Sequence, residues 1–485
     1  MSLAERVRSI RAENPGARWD LILPAVLGWE QNTLALVKLA ALAGMLAIAA
    51  GIGLVVGTRD PLYGVLLAGA PFGLLGIGLL QARLEWTPLV ILLAAGYIPF
   101  SLPTGTGSRL VISLVLAVGL TGLWWFRRAL LDKQPILDAS PLNGPAAGFS
   151  GAVLVSLVWS ILFRDPLVFV PASFIVVQTA SAMIMIISPL LVLLVGNLAR
   201  SERILQGMVW LMLSLGPLGL VNGLFALNLP ANTAGLAAMW ILGLASAQGL
   251  FNQQLSRRVR AGLLGLALGW VILGFVINIS WMAGWLPGFA AGGVILFLRS
   301  KRLLLLVGVV LLVYVLTNEG LIQRWLGDET VTSGDTRLLA WEMNWKFTQE
   351  HLLFGMGPAG YAVYYMTYNP TDAMATHSNY IDLLAQTGLV GSAFYLAFFG
   401  VILWRGWVVY RRVRGRRNFQ EGLAAAALGG VCGCLVIMAF GDWLLPFAYT
   451  QTIAGFNYSV YSWLFMGTIP ALDWLTAHES EAQGG

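Results

Sequence analysis

Charged residues are scarce in this chain of 485 residues. Asp, Glu, Lys and Arg make up 11% of the sequence, 58% of the residues are hydrophobic, and the mean hydropathy is +0.77. A soluble domain carries about 25% charged residues, so the scarcity of charge excludes an ordinary soluble protein and predicts an integral membrane protein. The 19 Trp and 56 Gly are also typical of membrane helices.

Cysteine is nearly absent, and so are the motifs of several common enzyme classes. Cys432 and Cys434 stand two residues apart in an apolar run, so they point to different faces of a helix and predict neither a disulfide nor a metal site. The sequence has no Cys/His/Asp cluster with metal-ligand spacing, no Gly-x-Ser-x-Gly and no Gly-Lys-Ser/Thr loop. We therefore expect neither a metal nor a cofactor.

Long apolar runs fill most of the chain. A helix needs about 20 apolar residues to cross the hydrocarbon core, and such runs predict an all-α, polytopic membrane bundle of about 12–14 transmembrane helices. One large extracytoplasmic loop with short helices of its own interrupts them. The predicted spans are 34–57, 62–80, 87–103, 109–126, 148–163, 173–198, 204–228, 234–254, 261–279, 282–298, 303–317, 382–404, 423–441 and 456–475.

The distribution of basic residues predicts how the chain is threaded. If the N-terminus lies in the cytoplasm, 22 of the 29 Lys and Arg fall on the cytoplasmic side, as the positive-inside rule requires. Both termini are then cytoplasmic, and the net charge of +6 reflects topology and anionic lipid, with no nucleic-acid partner. The predicted regions are a basic arm (1–33), a first bundle (34–317), the extracytoplasmic loop (318–381), further spans (382–475) and a tail (476–485).

The loop holds most of the extracytoplasmic groups that could meet an anionic or hydroxylic substrate. Apolar side chains recur from Leu338 to Leu352 at helical spacing, Ser333 or Asp335 is a plausible N-cap, and Arg337 falls in the first turn. One interpretation is a helix that lies on the outer leaflet with its Trp side chains down. A second, compatible one is a phosphate site, because a helix N-terminus and an arginine both suit phosphate oxygens.

Two further stretches of the loop carry candidate chemistry. Residues 354–361 contain three glycines, which predict a tight turn with close backbone approach rather than a phosphate-binding loop. His377 stands at the outer mouth of a predicted span. It is either a structural residue or a base that takes a proton from a sugar hydroxyl.

Together these residues resemble a known family. Arg337 and Trp341, then Leu353–Gly357, then the run His377–Gly391 are similar to the O-antigen ligase family, which also contains O-antigen polymerases and bacterial protein O-oligosaccharyltransferases. The resemblance implies a metal-independent glycosyltransferase of the bacterial inner membrane. Such an enzyme passes a glycan from an undecaprenyl-diphosphate carrier to an acceptor hydroxyl, on a glycan or glycolipid, outside the cytoplasm.

The same resemblance implies roles for individual residues. Arg337 would hold the carrier diphosphate and His377 would deprotonate or orient the acceptor, with Trp341, Asn379 and Tyr380 binding substrate. Family members usually carry a further arginine on an earlier outward loop, where this chain has Ser280-Trp281-Met282; Arg109, at another outer helix end, is the candidate substitute.

Other functions stay open from sequence. Ligase and polymerase share a donor and differ only in the acceptor. A transporter or flippase of lipid-linked saccharides would carry ionisable residues in mid-span and repeated halves, and the sequence shows few of the former and no repeat. A catalytically silent relative is the third alternative, because of the missing arginine.

Overall fold

The computed structural model describes residues 83–103, 108–227, 229–279, 281–318, 320, 335–369 and 375–484. The chain divides into two compact units, residues 1–84 and 85–485. The first unit lies almost wholly outside the described residues, as do the predicted spans 34–57 and 62–80, the candidate cap Ser333 and the side chain of Asp335.

The second unit is helical, as predicted. Eight of its described helices are long and apolar enough to cross a membrane, which confirms the all-α polytopic membrane class. The helices are α1 (Thr87–Tyr97), α2 (Ile112–Phe126), α3 (Asn143–Leu162), α4 (Phe174–Leu198), α5 (Glu202–Phe225), α6 (Ala237–Phe251), α7 (Arg257–Val271), α8 (Met282–Arg299), α9 (Lys301–Thr317), α10 (Asp335–Thr348), α11 (Gly360–Tyr368), α12 (Asn379–Val413), α13 (Phe419–Phe440), α14 (Phe456–Met466) and α15 (Thr468–Gly484).

Two predicted spans differ from the structure. The span 87–103 ends as a helix at Tyr97, and an antiparallel ribbon of β1 (Ser101–Pro103) and β2 (Arg109–Val111) follows it. The span 456–475 is two helices, α14 and α15. Pro470 is the third residue of α15 and lacks a backbone N–H, so it cannot donate to the Met466 carbonyl four residues earlier, which favours a helix end at this point.

Helices α4, α12 and α13 form the framework of the bundle. α12 packs on α3 and α13, α13 also packs on α6 and α8, and α15 packs on α4. α10 and α11 contact the first part of α12. Phe174, the first residue of α4, shares a buried cluster with Met356, Tyr361 and Phe447. The starts of α4 and α12 therefore lie at the same end of the bundle, the end that holds the loop helices.

The glycine-rich turn after α10 is fixed to a kink in α12. Gly388 has φ +65°, and the backbone N–H groups of Met356 and Gly357 donate to the carbonyls of Ala385 and Gln386 at 2.8 and 3.0 Å. A Cβ on Gly355 would lie 2.5 Å from the carbonyl carbon of Gln386, so only glycine fits there. The expected close backbone approach is thus made to a neighbouring helix.

Candidate functional site

A hydrogen bond joins the helix that carries Arg337 to the segment that carries His377. Trp341, in α10, donates from Nε1 to the carbonyl oxygen of Thr376 at 2.7 Å. Arg337 is the third residue of α10, in its first turn as predicted, and stands four residues before Trp341. Four residues make about one turn and about 6 Å of helix, so Arg337 and Trp341 share a side of α10.

The predicted apolar face of α10 is divided in the structure. Trp341 is partly buried, whereas Leu338 and Trp345 are exposed. The buried positions of the helix are Ala340, Asn344 and Thr348. α10 therefore contacts the rest of the protein through these three side chains and through the partly buried Phe347, which packs against the cluster of Phe174 and Met356.

The segment before α12 is held by a buried carboxylate. Asp382 Oδ1 accepts hydrogen bonds from Thr376 Oγ1 at 2.5 Å and from the Tyr361 hydroxyl at 2.6 Å. Tyr361 also stacks on Phe447, with ring centroids 4.5 Å apart. Burial and then the negative charge of Asp382 raise the pKa of Tyr361 well above its ordinary value, so its hydroxyl remains a donor. These contacts fix the residue directly before His377.

His377 itself has the features of a functional residue. Its φ is +50°, in the left-handed region that non-glycine residues avoid and that is often found at functional sites. Its side chain is 44% exposed, and its Nδ1 lies 3.8 Å from Oδ1 of Asp442, whose side chain is 2% exposed. Thr450 Oγ1 donates to Asp442 Oδ2, and Gln451 Nε2 donates to Oδ1 at 3.4 Å. A fixed, buried carboxylate therefore faces one nitrogen of an accessible imidazole.

Asn379 and Tyr380, which the resemblance placed at the substrate, use their polar atoms within the protein. Asn379 Nδ2 donates to the Leu445 carbonyl at 2.7 Å, and its Oδ1 accepts from the backbone N–H groups of Leu444 and Leu445. The Tyr380 hydroxyl donates to the Leu435 carbonyl at 2.8 Å. In the structure Asn379 thus positions the segment that follows Asp442.

Arg109 reaches the same end of the bundle on the ribbon. It is exposed and is the first residue of β2. The neighbouring Ser108 accepts a hydrogen bond through Oγ from the Ile453 N–H at 3.1 Å. Because Ile453 follows Thr450 and Gln451, the ribbon lies against the same chain segment that holds Asp442. The alternative position 280 lies outside the described residues.

An apolar cavity of about 120 Å³ lies between α6, α7 and α8. The residues that line it include Met239, Leu242, Phe289 and Trp281. Trp281 packs edge-on against Trp443, with centroids 5.7 Å apart. Trp443 directly follows Asp442, so this cavity adjoins the polar site.

Asp442 is the main site residue that the sequence motifs did not assign. It lies 65 residues from His377, and the only signal in the sequence was a single acidic residue at the end of an apolar run. Tyr361, Thr376 and Asp382 gave no signal that separated them from other residues of the loop. Within the described ranges, no three His, Cys, Asp or Glu side chains are grouped as metal ligands would be.

A comparison with known protein families matches the part of the chain that carries Arg337 and His377. A family model described as O-Antigen ligase matches residues 259–396, from α7 into α12, and so includes Arg337, Trp341 and His377. Asp442 and Arg109 lie outside the matched segment. No curated protein matches the chain. Residues 259–396 therefore match the O-antigen ligase family, the same family that the motifs around Arg337 and His377 resemble.

Proposed function

We propose that this protein transfers a glycan from an undecaprenyl-diphosphate carrier to an acceptor hydroxyl at the extracytoplasmic face of the bacterial inner membrane. The observation that carries the proposal is the hydrogen bond from Trp341 to the Thr376 carbonyl. It holds the helix of Arg337 against the segment of His377. A cationic group for the diphosphate and a base for the acceptor are thus kept at one place.

Arg337 binds the donor in this proposal. It lies in the first turn of α10, where unsatisfied backbone N–H groups and the helix dipole favour anions. Its planar guanidinium matches phosphate oxygens in a bidentate manner. As the glycosidic C–O bond to the diphosphate breaks, negative charge grows on the leaving phosphate, and Arg337 stabilises that charge.

His377 accepts the proton of the acceptor. The acceptor oxygen forms the new bond to the anomeric carbon, and its proton passes to the imidazole Nε2 while the lipid diphosphate leaves. Asp442, 3.8 Å from Nδ1, then faces an imidazolium and stabilises it. Asp442 is buried and bonded to Thr450, so its position does not depend on the substrate. No metal takes part in this scheme.

The surroundings fit a lipid-linked donor. The cavity beside Trp443 is lined mainly by apolar and aromatic side chains and adjoins Asp442. At about 120 Å³ it has room for the isoprene unit next to the carrier diphosphate, which would leave the diphosphate near the polar residues. The basic-residue pattern of the loops supports an extracytoplasmic position for this end of the bundle. Arg109, on the adjoining ribbon, is the candidate second cation for the diphosphate.

A transfer assay tests the proposal. Purified protein in liposomes receives a labelled undecaprenyl-diphosphate glycan and an acceptor, in the presence of a chelator. We expect the parent and Lys346→Ala, a charge control on the exposed side of α10, to transfer label, and Arg337→Ala and His377→Ala to lose most transfer. Equal transfer by all four proteins would refute the site, and movement of the glycolipid between leaflets without transfer would favour a transporter.

A further inference from the structure

A second cavity, lined by charged residues, lies at the end of the bundle opposite His377. It has a volume of about 250 Å³, and its lining includes Arg200, Arg405 and Arg412. α12 runs from Asn379 beside the candidate site to these arginines, and α4 runs from Phe174 to Leu198, a distance of about 37 Å at 1.5 Å per residue. The cavity is therefore separated from the transferase site by the thickness of a bilayer core.

Positive charge exceeds negative charge around this cavity. Asp138 receives hydrogen bonds from Arg128 and Arg200, and Asp473 receives them from Arg405 and Arg412. Four guanidinium groups against these two carboxylates leave two positive charges in excess. The nearby Glu479 pairs with Arg416 instead.

One guanidinium in the cavity wall has an unused donor. Arg200 Nη1 is buried and has no hydrogen-bond acceptor among the described residues, although Nε donates to the Asn197 carbonyl at 2.9 Å. A buried N–H of a charged group without an acceptor is costly, and an oxygen of a bound anion would remove that cost.

The cavity is polar on one side and apolar on the other. Leu193, Gly196 and Pro470 line it together with the arginines, and the Trp474 indole lies under Arg200 with the guanidinium carbon 4.4 Å from the ring centroid. Tryptophan and arginine in this arrangement are typical of the boundary between lipid head groups and acyl chains.

We propose that this cavity binds the phosphate of an anionic phospholipid. One phosphodiester charge is smaller than the excess of two. A phosphate oxygen would accept from Arg200 once Nη1, which water does not reach in this structure, turns towards the cavity, while the glycerol and the first acyl carbons lie against Leu193 and Pro470. Free phosphate offers the same kind of oxygen acceptors and at least as much negative charge, but not the apolar part. The inference does not depend on the transferase activity.

Native mass spectrometry of the purified full chain tests this inference. The protein is titrated with phosphatidylglycerol, with phosphatidylcholine and with inorganic phosphate. The variants are Arg412→Gln, its neighbour Arg411→Gln, which does not line the cavity, and Asp473→Asn. We expect phosphatidylglycerol to bind more tightly than phosphatidylcholine, to weaken about ten-fold in Arg412→Gln and to be unchanged in Arg411→Gln.

Asp473→Asn provides the second measurement, because it adds net positive charge. It should tighten phosphatidylglycerol binding, whereas a cluster that serves only to join α12 and α15 would gain no lipid affinity. The inference is overturned if phosphatidylglycerol binds no better than phosphatidylcholine, if inorganic phosphate binds as tightly as the lipid, or if Arg412→Gln and Arg411→Gln bind alike. If Arg412→Gln does not fold, folded Asp473→Asn with unchanged or weaker binding overturns it.

Discussion

The hydrogen bond between Trp341 and Thr376 gives the most direct mutational test of how the site is held together. Trp341→Phe keeps an aromatic ring on α10 but removes the Nε1–H that donates to the Thr376 carbonyl at 2.7 Å. Thr376 is fully buried, so its carbonyl loses a donor that water does not readily replace. Such a loss costs about 1–3 kcal/mol.

If this hydrogen bond keeps Arg337 and His377 aligned in the transition state, removing it raises the activation free energy of transfer by the same amount. We then expect kcat for glycan transfer to fall about 5- to 150-fold in Trp341→Phe. The assay is transfer of label from the lipid-linked donor in liposomes, with the thermal unfolding midpoint measured on the same preparations.

Trp345→Phe is the matched control, since Trp345 stands one turn further along α10 and is 51% exposed. We expect its kcat to stay within about two-fold of the parent. A Trp341→Phe protein that is folded and transfers as fast as Trp345→Phe would refute the idea that this bond aligns the site.

Three further predictions concern the imidazole, the kink and the loop. Asp442→Asn removes a charge 3.8 Å from His377 Nδ1. The Coulomb interaction at this distance is about 1 kcal/mol in water and about 4 kcal/mol near a protein surface, so kcat should fall at least about five-fold. Gly388→Ala places a Cβ at φ +65°, against a carbonyl of the glycine-rich turn, and should lower the free energy of unfolding by about 2 kcal/mol or more; thermal unfolding measures this. Burial lowers the pKa of His351, so below about pH 6.5 the unfolded chain binds more protons than the folded chain and the folded state loses stability. His351→Phe removes this group and should reduce that loss.

Two of these predictions have a control variant in the same chain, and the third is compared with the parent. Asp165→Asn removes an exposed carboxylate near the same end and should leave kcat unchanged. Gly400→Ala, also in α12, has open space around its Cβ and should be neutral or slightly stabilising. Equal effects of Asp442→Asn and Asp165→Asn, or of Gly388→Ala and Gly400→Ala, would contradict the contacts described. Identical pH dependence of unfolding in the parent and His351→Phe would contradict the effect of burial.

The local features of the site were predictable from sequence. The start of α10, the place of Arg337 in its first turn and the need for glycine around residue 355 all follow from short-range rules of capping, helical period and backbone freedom. The membrane class followed from composition alone. These rules act within one or two turns of chain, which is why they sufficed.

Features that depend on distant contacts were not predictable in the same way. The pairing of His377 with Asp442, and the use of the Asn379 amide to hold residues 444 and 445, arise only when α12 and the chain after α13 meet. Hydropathy also could not show the division of residues 456–475 into α14 and α15, because the sequence on both sides of the break, from Trp463 to Leu472, is mostly apolar.

The central claim is that Arg337 and His377 act in one transition state, Arg337 on the donor and His377 on the acceptor, and a double-mutant cycle tests it most directly. Specific transfer rates are measured for the parent, Arg337→Ala, His377→Ala and the double variant. If the two side chains act on the same transition state, the double variant loses less than the sum of the single losses, by at least about 1 kcal/mol. Losses that add within about 0.5 kcal/mol would show that the two residues act independently and would contradict the shared site.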